Sequence, residues 1–280
     1  MVFNMLNTNL ADYLAQAFLD EVITIAKEAG EAIMQVYSTD FNVEHKEDKS
    51  PVTQADLAAH DVIFQGLNRL TPHIPVLSEE STIVSFETRK NWHEYWLIDP
   101  LDGTREFVKR NGEFTVNIAL IRQHQTVLGV VYAPVTQVLY FATHGQGAFK
   151  QIQASFPAHI KTAELELSKP VLAISRSHKD EKVLVFMQNL ENKLKVTPEL
   201  ISIGSSLKIC LVAEGVADVY PRLGPTSEWD TAAAHCVIQE AGGDIVDVAG
   251  VTLLYNTKSS LLNPFFFAKS GSKHDWACYL

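Results

Sequence analysis

Hydrophobic residues near the start of the chain recur with a helical period. From Asn9 to Tyr37 they lie three or four positions apart, which predicts a long amphipathic helix. A charged loop follows, and Thr53 with Asp56 three positions later predicts the N-cap of a second helix that ends near Leu70. Capping explains Thr53 and Asp56 without any further function, and a functional role is the alternative that the pattern leaves open.

Short apolar runs predict the strands of a first sheet. Residues 74–77, 96–98 and 114–120 are rich in β-branched or large apolar side chains, and residues 126–149 continue the pattern with glycines and a proline between the runs. The last two ranges predict successive antiparallel strands. Helices followed by a sheet therefore make up the first half of the chain.

Strands alternate with helices in the second half. The strands are predicted at residues 171–174, 200–203, 217–220 and 265–268, and the helices at residues 181–190, 206–214 and 231–241. This alternation is typical of a layered α/β fold. Residues 151–167 carry the weakest pattern, so we predict a boundary between an N-terminal α+β domain, residues 1–155, and a C-terminal α/β domain, residues 156–280.

Composition and charge narrow the class of protein. A chain of 280 residues that is 46% hydrophobic can bury a substantial core. Its net charge of −10 argues against binding nucleic acid through a basic surface, although a small anionic substrate stays compatible with it. Cys210, Cys236 and Cys278 are widely spaced, which predicts a reducing compartment and no structural zinc.

The chain shows no signal peptide and no apolar run of about 20 residues, the length that spans a bilayer. We therefore expect a soluble cytoplasmic protein without an integral membrane segment, and peripheral attachment to the inner face of the cell membrane stays open. The oligomeric state is not readable from the sequence, and a monomer is the preferred hypothesis.

The clearest candidate chemistry follows the predicted strand at residues 96–98. Asp99 stands at the carboxyl end of that strand, where ligands bind in α/β folds, and Asp102 comes three positions later. Pro100 fixes φ, so the two carboxylates and the Leu101 carbonyl can converge on one point. Oxygen ligands in such an arrangement suit Mg²⁺, whereas an isolated Asp-x-x-Asp also fits an ordinary acidic turn.

Three other features could complete such a site. Gly103 and Thr104 would direct their amides at an anion if a helix begins there. Glu79 and Glu80 follow the strand predicted at residues 74–77, and a cation would relieve their mutual repulsion. Asp230 falls in the first turn of the helix predicted at residues 231–241, where the helix dipole favours an acid in any case.

Together these stretches resemble the lithium-sensitive, magnesium-dependent phosphatases of the inositol monophosphatase superfamily. The resemblance rests on an acid pair, a central motif and a later Trp-Asp motif, which stand here at residues 79–80, 99–104 and 229–233. Three further segments, residues 48–53, 204–208 and 217–230, are similar to the CysQ-type 3'(2'),5'-bisphosphate nucleotidases within that superfamily. The resemblance implies the layered αβαβα sandwich of the sugar phosphatases, with the active site between its two parts.

The resemblance also implies a set of ligands for two or three Mg²⁺ ions. One ion is expected on Glu79, Asp99 and the Leu101 carbonyl, and a second on Asp99, Asp102 and Asp230. A third ion is expected to engage Glu79 through water, which places Glu79 among the catalytic residues as well.

Further roles follow from the same resemblance. Asp48 with Thr104 is expected to take the proton of the attacking water, and the amides of Gly103 and Thr104 to hold the transferring phosphate. A second phosphate and the nucleoside are expected in a subsite in the second half of the chain. Its predicted residues are His178, Ser205, Lys208 and Arg222, with Ser177 beside His178.

The implied activity is hydrolysis of the 3'-phosphate of adenosine 3',5'-bisphosphate to AMP in sulfur assimilation, with the sulfated nucleotide PAPS as a possible second substrate. The small nucleotide bisphosphate is the expected partner, and nucleic acid is not. Two alternatives stay open. One is a phosphatase of the same architecture that acts on inositol monophosphate or on the 1-phosphate of an inositol polyphosphate, and the other is a catalytically silent nucleotide or Mg²⁺ sensor.

Overall fold

The computed structural model describes residues 16–40, 43–45, 51–81, 84–177 and 181–280. Its helices are α1 (Gln16–Tyr37), α2 (Gln54–Leu70), α3 (Phe86–Arg89), α4 (Thr104–Val108), α5 (Glu181–Leu194), α6 (Leu207–Ala213) and α7 (Glu228–Glu240), with a 3₁₀ turn at Trp276–Tyr279. Its strands are β1 (Val43–His45), β2 (Pro51–Thr53), β3 (Val76–Ser78), β4 (Glu94–Asp102), β5 (Thr115–Arg122), β6 (Gln125–Ala133), β7 (Val138–Thr143), β8 (Ala148–Ile152), β9 (Ala158–Ile160), β10 (Val171–Ser175), β11 (Glu199–Ile203), β12 (Val219–Arg222), β13 (Asp244–Asp247) and β14 (Phe266–Lys269).

Two large sheets contain most of these strands. The first has seven strands in sequence order from β3 to β9, and all its pairs are antiparallel except β3 with β4. The second has five strands in the order β11, β10, β12, β14 and β13, and β10 is parallel to both of its neighbours. Strands β1 and β2 form a separate hairpin.

Alternation of side chains along β4 shows how the first sheet is covered on both faces. Trp96 and Ile98 point into a core shared with α1 and α2, whereas Tyr95 and Leu97 point into a core shared with α6 and α7. Successive strand residues point to opposite faces, so a strand buried on both sides is apolar throughout. This explains why the predicted strand at residues 96–98 is a continuous apolar run.

The second sheet is covered on both faces in the same way. Tyr220 faces the core that contains α6 and α7, and Val219 faces a core built by α5 and the 3₁₀ turn. The order of layers is therefore helices α1 and α2, the seven-stranded sheet, helices α6 and α7, the five-stranded sheet, and α5 with the 3₁₀ turn. This confirms the predicted αβαβα sandwich.

Most predicted elements lie within a few residues of the observed ones. Strand β3 begins two positions later than predicted because Pro75 has no amide hydrogen to give to the sheet. The predicted start of the first helix at Asn9 lies outside the described residues. Strand β9 was not predicted, and it extends the first sheet past residue 155. The division into two domains at that residue stays a prediction. Among the described residues, every helix is too short or too polar to span a bilayer.

Helix α7 packs very closely against the seven-stranded sheet at Gly129. A Cβ atom at this position would lie 2.2 Å from the Ala233 carbonyl oxygen and 2.8 Å from the Cys236 Cβ. Both atoms belong to α7 and cannot move unless the whole helix moves. The short distance between α7 and the sheet therefore requires a residue without a side chain at position 129.

We expect Gly129→Ala to lower the free energy of unfolding by about 3 kcal/mol, because overpacking forces the helix and the sheet apart. Urea denaturation of the purified protein would measure this loss. Gly250→Ala is the control, since its Cβ would meet no atom within 4 Å and its left-handed backbone costs only about 1 kcal/mol. Equal losses for the two variants would contradict the argument.

Candidate active site

Three carboxylates from distant parts of the chain meet at one point. Among the described residues, one ligand atom from each of Glu79, Asp99 and Asp230 lies within 4.8 Å of the others. Glu79 directly follows β3, whose parallel pairing with β4 ends at Ser78 and Ile98, and its amide donates to the Ile98 carbonyl over 3.2 Å. Parallel pairing therefore brings Glu79 and Asp99 to the same edge of the sheet.

Asp230 is held by the start of α7. The Ser227 side chain accepts from the amide of the third helical residue, which is Asp230, while Asp230 Oδ2 accepts from the Ser227 amide over 2.9 Å. This reciprocal capping box fixes the carboxylate at the helix N-terminus. The ligand predicted for the second half of the chain is thus positioned by an ordinary helix cap.

An irregularity in β4 turns the remaining residues of the central motif toward the same cleft. Asp99 pairs with Asn117 and Asp102 with Thr115, so β4 contains one residue more than its partner over this interval. Gly103 then adopts a left-handed φ of 95°, which glycine tolerates, and α4 begins at Thr104. The bulge and the glycine together place the ends of β4 and α4 around one concave surface.

A cleft of about 350 Å³ opens at this surface between the two sheets. Among the described residues predicted for the site, all but Ser177 line it, namely Glu79, Asp99, Leu101, Asp102, Gly103, Thr104, Ser205, Lys208, Arg222 and Asp230. Asp48 and His178 lie outside the described residues. Ser177 does not line this cleft, and its hydroxyl instead accepts from Lys109 Nζ over 2.7 Å.

The electrostatics of the cleft favour a bound cation. Burial, and then repulsion by Glu79 and Asp102, raises the pKa of Asp99 well above its usual value. Burial followed by the charges of Asp102 and Glu79 does the same for the pKa of Asp230. A divalent cation would relieve both the desolvation and the repulsion, and carboxylates with a backbone carbonyl are the oxygen ligands that Mg²⁺ prefers. The donor set therefore fits the metal that the sequence predicts.

Asp102 lies slightly apart from the three acids that meet. Its Oδ2 accepts from the Ser206 amide over 2.5 Å and from Asn117 Nδ2 over 3.4 Å. Burial raises its pKa to about 6, and the Lys208 charge and the Ser206 hydrogen bond limit the rise. Asp102 therefore connects the carboxylate cluster to the segment that precedes α6.

Asp56 is a site residue whose role the sequence left undecided. Its Oδ2 accepts from the Thr53 amide and the Thr53 hydroxyl, both over 2.7 Å, and so caps α2. Its Oδ1 accepts from Thr104 Oγ1 over 3.1 Å. Asp56 is 2% exposed, and burial raises its pKa while the Thr53 and Thr104 hydrogen bonds lower it. It is therefore both a helix cap and a neighbour of the central motif.

Two cationic residues, Lys208 and Arg222, also line the cleft. Lys208 Nζ donates to the Ser205 carbonyl over 2.6 Å and lies 5.3 Å from the centre of the Tyr220 ring. Its pKa is lowered to about 8 by burial, which Asp102 opposes and Arg222 reinforces. Arg222 Nη2 donates to the Pro225 carbonyl over 2.7 Å, and Ser205 adopts a left-handed φ of 52°. A cleft that combines a cluster of carboxylates with two cations suits a substrate that carries two anionic groups.

The fold and the acid cluster define a class of protein. The chain belongs to the inositol monophosphatase family, because residues 15–277 match that family, and this family is metal-dependent.

Within the family, the chain is 51% identical over 256 residues to the 3'(2'),5'-bisphosphate nucleotidase CysQ of Salmonella typhimurium, a match that covers 89% of this chain and 98% of that protein. It is 40% identical to the protein of the same name in Haemophilus influenzae, over 94% of this chain and 96% of that one. The crystal structure of CysQ from Bacteroides thetaiotaomicron has a TM-score of 0.80 and 40% identity to it, over 92% of this chain and 98% of that chain. The family and the group that the sequence resembles are thus confirmed.

We expect Asp99→Asn to raise the unfolding temperature of the metal-free protein at pH 8. An acid whose pKa is raised by folding binds more protons in the folded chain than in the unfolded chain. Stability therefore falls as the pH rises above 3.8, the usual pKa of an aspartate, toward the raised value. The asparagine carries no charge and escapes this loss, so the gain disappears at pH 4.

Thermal unfolding in EDTA at pH 4 and pH 8 would measure the effect of Asp99→Asn. The same scans with added Mg²⁺ should stabilise the unsubstituted protein and leave the variant almost unchanged, because a ligand is missing. A variant that is less stable than the unsubstituted protein in EDTA at pH 8 would argue against charge repulsion at the cluster.

Proposed function

We propose that this chain is a 3'(2'),5'-bisphosphate nucleotidase that removes the 3'-phosphate of adenosine 3',5'-bisphosphate to give AMP, and that it also accepts PAPS. The observation that carries the proposal is a single cleft lined both by three carboxylates that meet and by Lys208 and Arg222. Two relatives with this name, 51% and 50% identical to the chain over 98% of their own length, support the same activity.

The carboxylate cluster would hold two or three Mg²⁺ ions. We assign Glu79, Asp99 and Asp230 to them, together with Asp102 and the Leu101 carbonyl, because all five border the cleft. When bound, the ions would neutralise the transferring phosphate and make the attacking water more acidic. The amides of Gly103 and Thr104 are proposed to hold the phosphate beside them.

Asp56 is our proposed proton acceptor, acting through Thr104. Thr104 Oγ1 lies 3.1 Å from Asp56 Oδ1 and lines the cleft, so the hydroxyl can pass a proton from water to the carboxylate. The raised pKa of Asp56 makes it a stronger base than an exposed aspartate. Asp48, which the sequence favours for this role, lies outside the described residues, and its role stays a prediction.

The wall formed by Lys208 and Arg222 would hold the second phosphate and the nucleoside. Arg222 can bind a phosphate through two parallel hydrogen bonds, and Lys208 acts as a buried point charge. Ser205 and Tyr220 lie beside them on the cleft wall. His178 stays a predicted member of this subsite.

The chain's location and assembly are also proposals. We propose a monomeric cytoplasmic enzyme in sulfur assimilation, with peripheral attachment to the inner face of the membrane as the alternative location. Cys210, Cys236 and Cys278 are all free thiols, which supports a reducing compartment.

The proposed activity predicts which substrate loses phosphate fastest. We expect kcat/KM for adenosine 3',5'-bisphosphate to exceed that for inositol 1-phosphate at least 100-fold with Mg²⁺, and Li⁺ to inhibit the reaction. Phosphate release from the two compounds should be measured side by side, with Asp99→Asn as the inactive control. A preference for inositol 1-phosphate would keep the metal site and refute the nucleotide subsite, and release from neither compound would favour the silent sensor.

The two candidate bases predict different mutants. We expect Asp56→Asn and Thr104→Ala each to lower kcat at least 100-fold at saturating Mg²⁺ with little change in KM, because general base catalysis contributes about 10²–10⁴-fold. Asp48→Asn should retain most of the activity. The reverse order of the two aspartate variants in steady-state phosphate release would make Asp48 the base and reduce Asp56 to a helix cap.

A further inference from the structure

A buried arginine ties α3 to a distant segment of the second half. Arg89 is 1% exposed, although arginine is rarely buried. One of its guanidinium nitrogens donates to Asn256 Oδ1, and another donates to the carbonyls of Lys258 and Ser259. Asn256 returns a hydrogen bond from Nδ2 to the Arg89 carbonyl over 2.6 Å. The two side chains therefore clamp each other across more than 160 residues of sequence.

Asn256 also connects this clamp to α7. Its backbone amide donates to Glu228 Oε2 over 2.8 Å. Glu228 is 0% exposed and is the first residue of α7, two positions before Asp230. Its other oxygen accepts from Lys258 Nζ over 3.4 Å. A buried carboxylate held by two partners of one segment fixes the first turn of the helix to that segment.

The segment in question, residues 255–263, has additional attachments on both sides. On the side of the seven-stranded sheet, the Tyr255 amide donates to the His124 carbonyl over 3.0 Å. On the side of α7, Asn263 Nδ2 donates to the Ser227 carbonyl over 2.7 Å and to Thr231 Oγ1 over 3.1 Å. Residues 255–263 thus connect the first sheet to the turn that carries Asp230.

The position of Arg89 in the chain relates this connection to the proposed metal ligands. Helix α3 lies in the chain between the Glu79 turn and strand β4, which carries Asp99. A clamp that starts at α3 and ends at Glu228 therefore connects the segment between Glu79 and Asp99 to the start of the helix that carries Asp230. Arg89, Asn256 and Glu228 are buried and hydrogen-bonded to one another, so they fix the distance between α3 and the start of α7.

We propose that Arg89, Asn256 and Glu228 are positioning residues that set the spacing of Asp230 relative to Glu79 and Asp99, and so the affinity of the site for divalent cations. The inference rests on the proposed function, because it concerns the metal site of that enzyme. None of the three residues lines the cleft, so their effect on the metal must act through the ligands. Outer partners of metal ligands typically change metal affinity by about 10–100-fold when they are substituted.

Two substitutions break the clamp gently. Asn256 has a φ of 57°, which glycine adopts without strain. Asn256→Gly therefore keeps the amide that binds Glu228 and removes both side-chain bonds to Arg89. Arg89→Lys keeps the positive charge and loses the planar fork. Both variants lose the guanidinium bond to Asn256 Oδ1, although Asn256→Gly also removes the bond to the Arg89 carbonyl and Arg89→Lys disturbs the bonds to the Lys258 and Ser259 carbonyls. Because one bond is shared, the loss in the double variant should be smaller than the two single losses combined.

The matched control is Lys150→Met. Lys150 on β8 pairs with Glu214, the residue after α6, so it also joins the first sheet to the central helices. Lys150 is remote from the clamp in sequence, and no described hydrogen bond joins it to α3 or to residues 255–263. Loss of this pair should lower the unfolding temperature without changing the spacing of the ligands.

The test measures binding of Mn²⁺ to the full-length protein after its metal has been removed. Electron paramagnetic resonance reports the concentration of free Mn²⁺ and so gives the dissociation constant. We expect the dissociation constant to rise about tenfold in Asn256→Gly and in Arg89→Lys, no more than about twofold further in the double variant, and not at all in Lys150→Met. At saturating metal, kcat should recover in both clamp variants.

Two results would overturn the proposal in distinguishable ways. Clamp variants that unfold at lower temperature but bind Mn²⁺ within twofold of the unsubstituted protein would show that the clamp is only structural. Failure of the unsubstituted protein itself to bind Mn²⁺ would refute the proposed metal site and this inference with it. If Arg89→Lys does not fold, Asn256→Gly decides alone.

Discussion

The site depends on holding like charges together in a partly buried cleft, where water screens them less than at the surface. Glu79, Asp99 and Asp230 each repel the other two, and burial strengthens that repulsion. No attraction among the three could hold them there, so the backbone must. Parallel pairing of β3 with β4 fixes the first two, and a capping box at the start of α7 fixes the third.

The reach of Asp230 into the site depends on small residues further along α7. Ala232, Ala233 and Ala234 are all buried in the central layer, and the absence of a side chain at Gly129 lets the helix touch the sheet. Small side chains at an interface allow close backbone approach. A bulkier interface would lift the whole helix, and with it Asp230, away from Asp99. Packing in the core thus sets the geometry of the charges at the helix end.

The sequence predicted most helices and strands from local patterns, and the family resemblance implied how they are layered. It also named acids that the structure brings to one cleft, although their role as metal ligands stays a prediction. Helical and strand periods identify the elements, and Asp99, Asp102, Glu79 and Asp230 stand in short motifs. Strand β9 was not predicted because it has only three residues, two of them exposed, and so shows no hydrophobic pattern. The clamp of Arg89 on Asn256 escaped for a different reason: the residues are far apart in sequence, and neither belongs to a motif.

Asp56 shows why one pattern can conceal a second role. Thr53 and Asp56 have the spacing of a capping box, which suffices to explain both residues, and the structure forms that box. A carboxylate has two oxygens, however, and the cap occupies only Oδ2, leaving Oδ1 to Thr104. A proton that arrives at Oδ1 leaves both cap hydrogen bonds on Oδ2 intact. In the proposed proton transfer the helix would therefore not have to rearrange when Asp56 changes its charge, and the cap would hold Oδ1 in place.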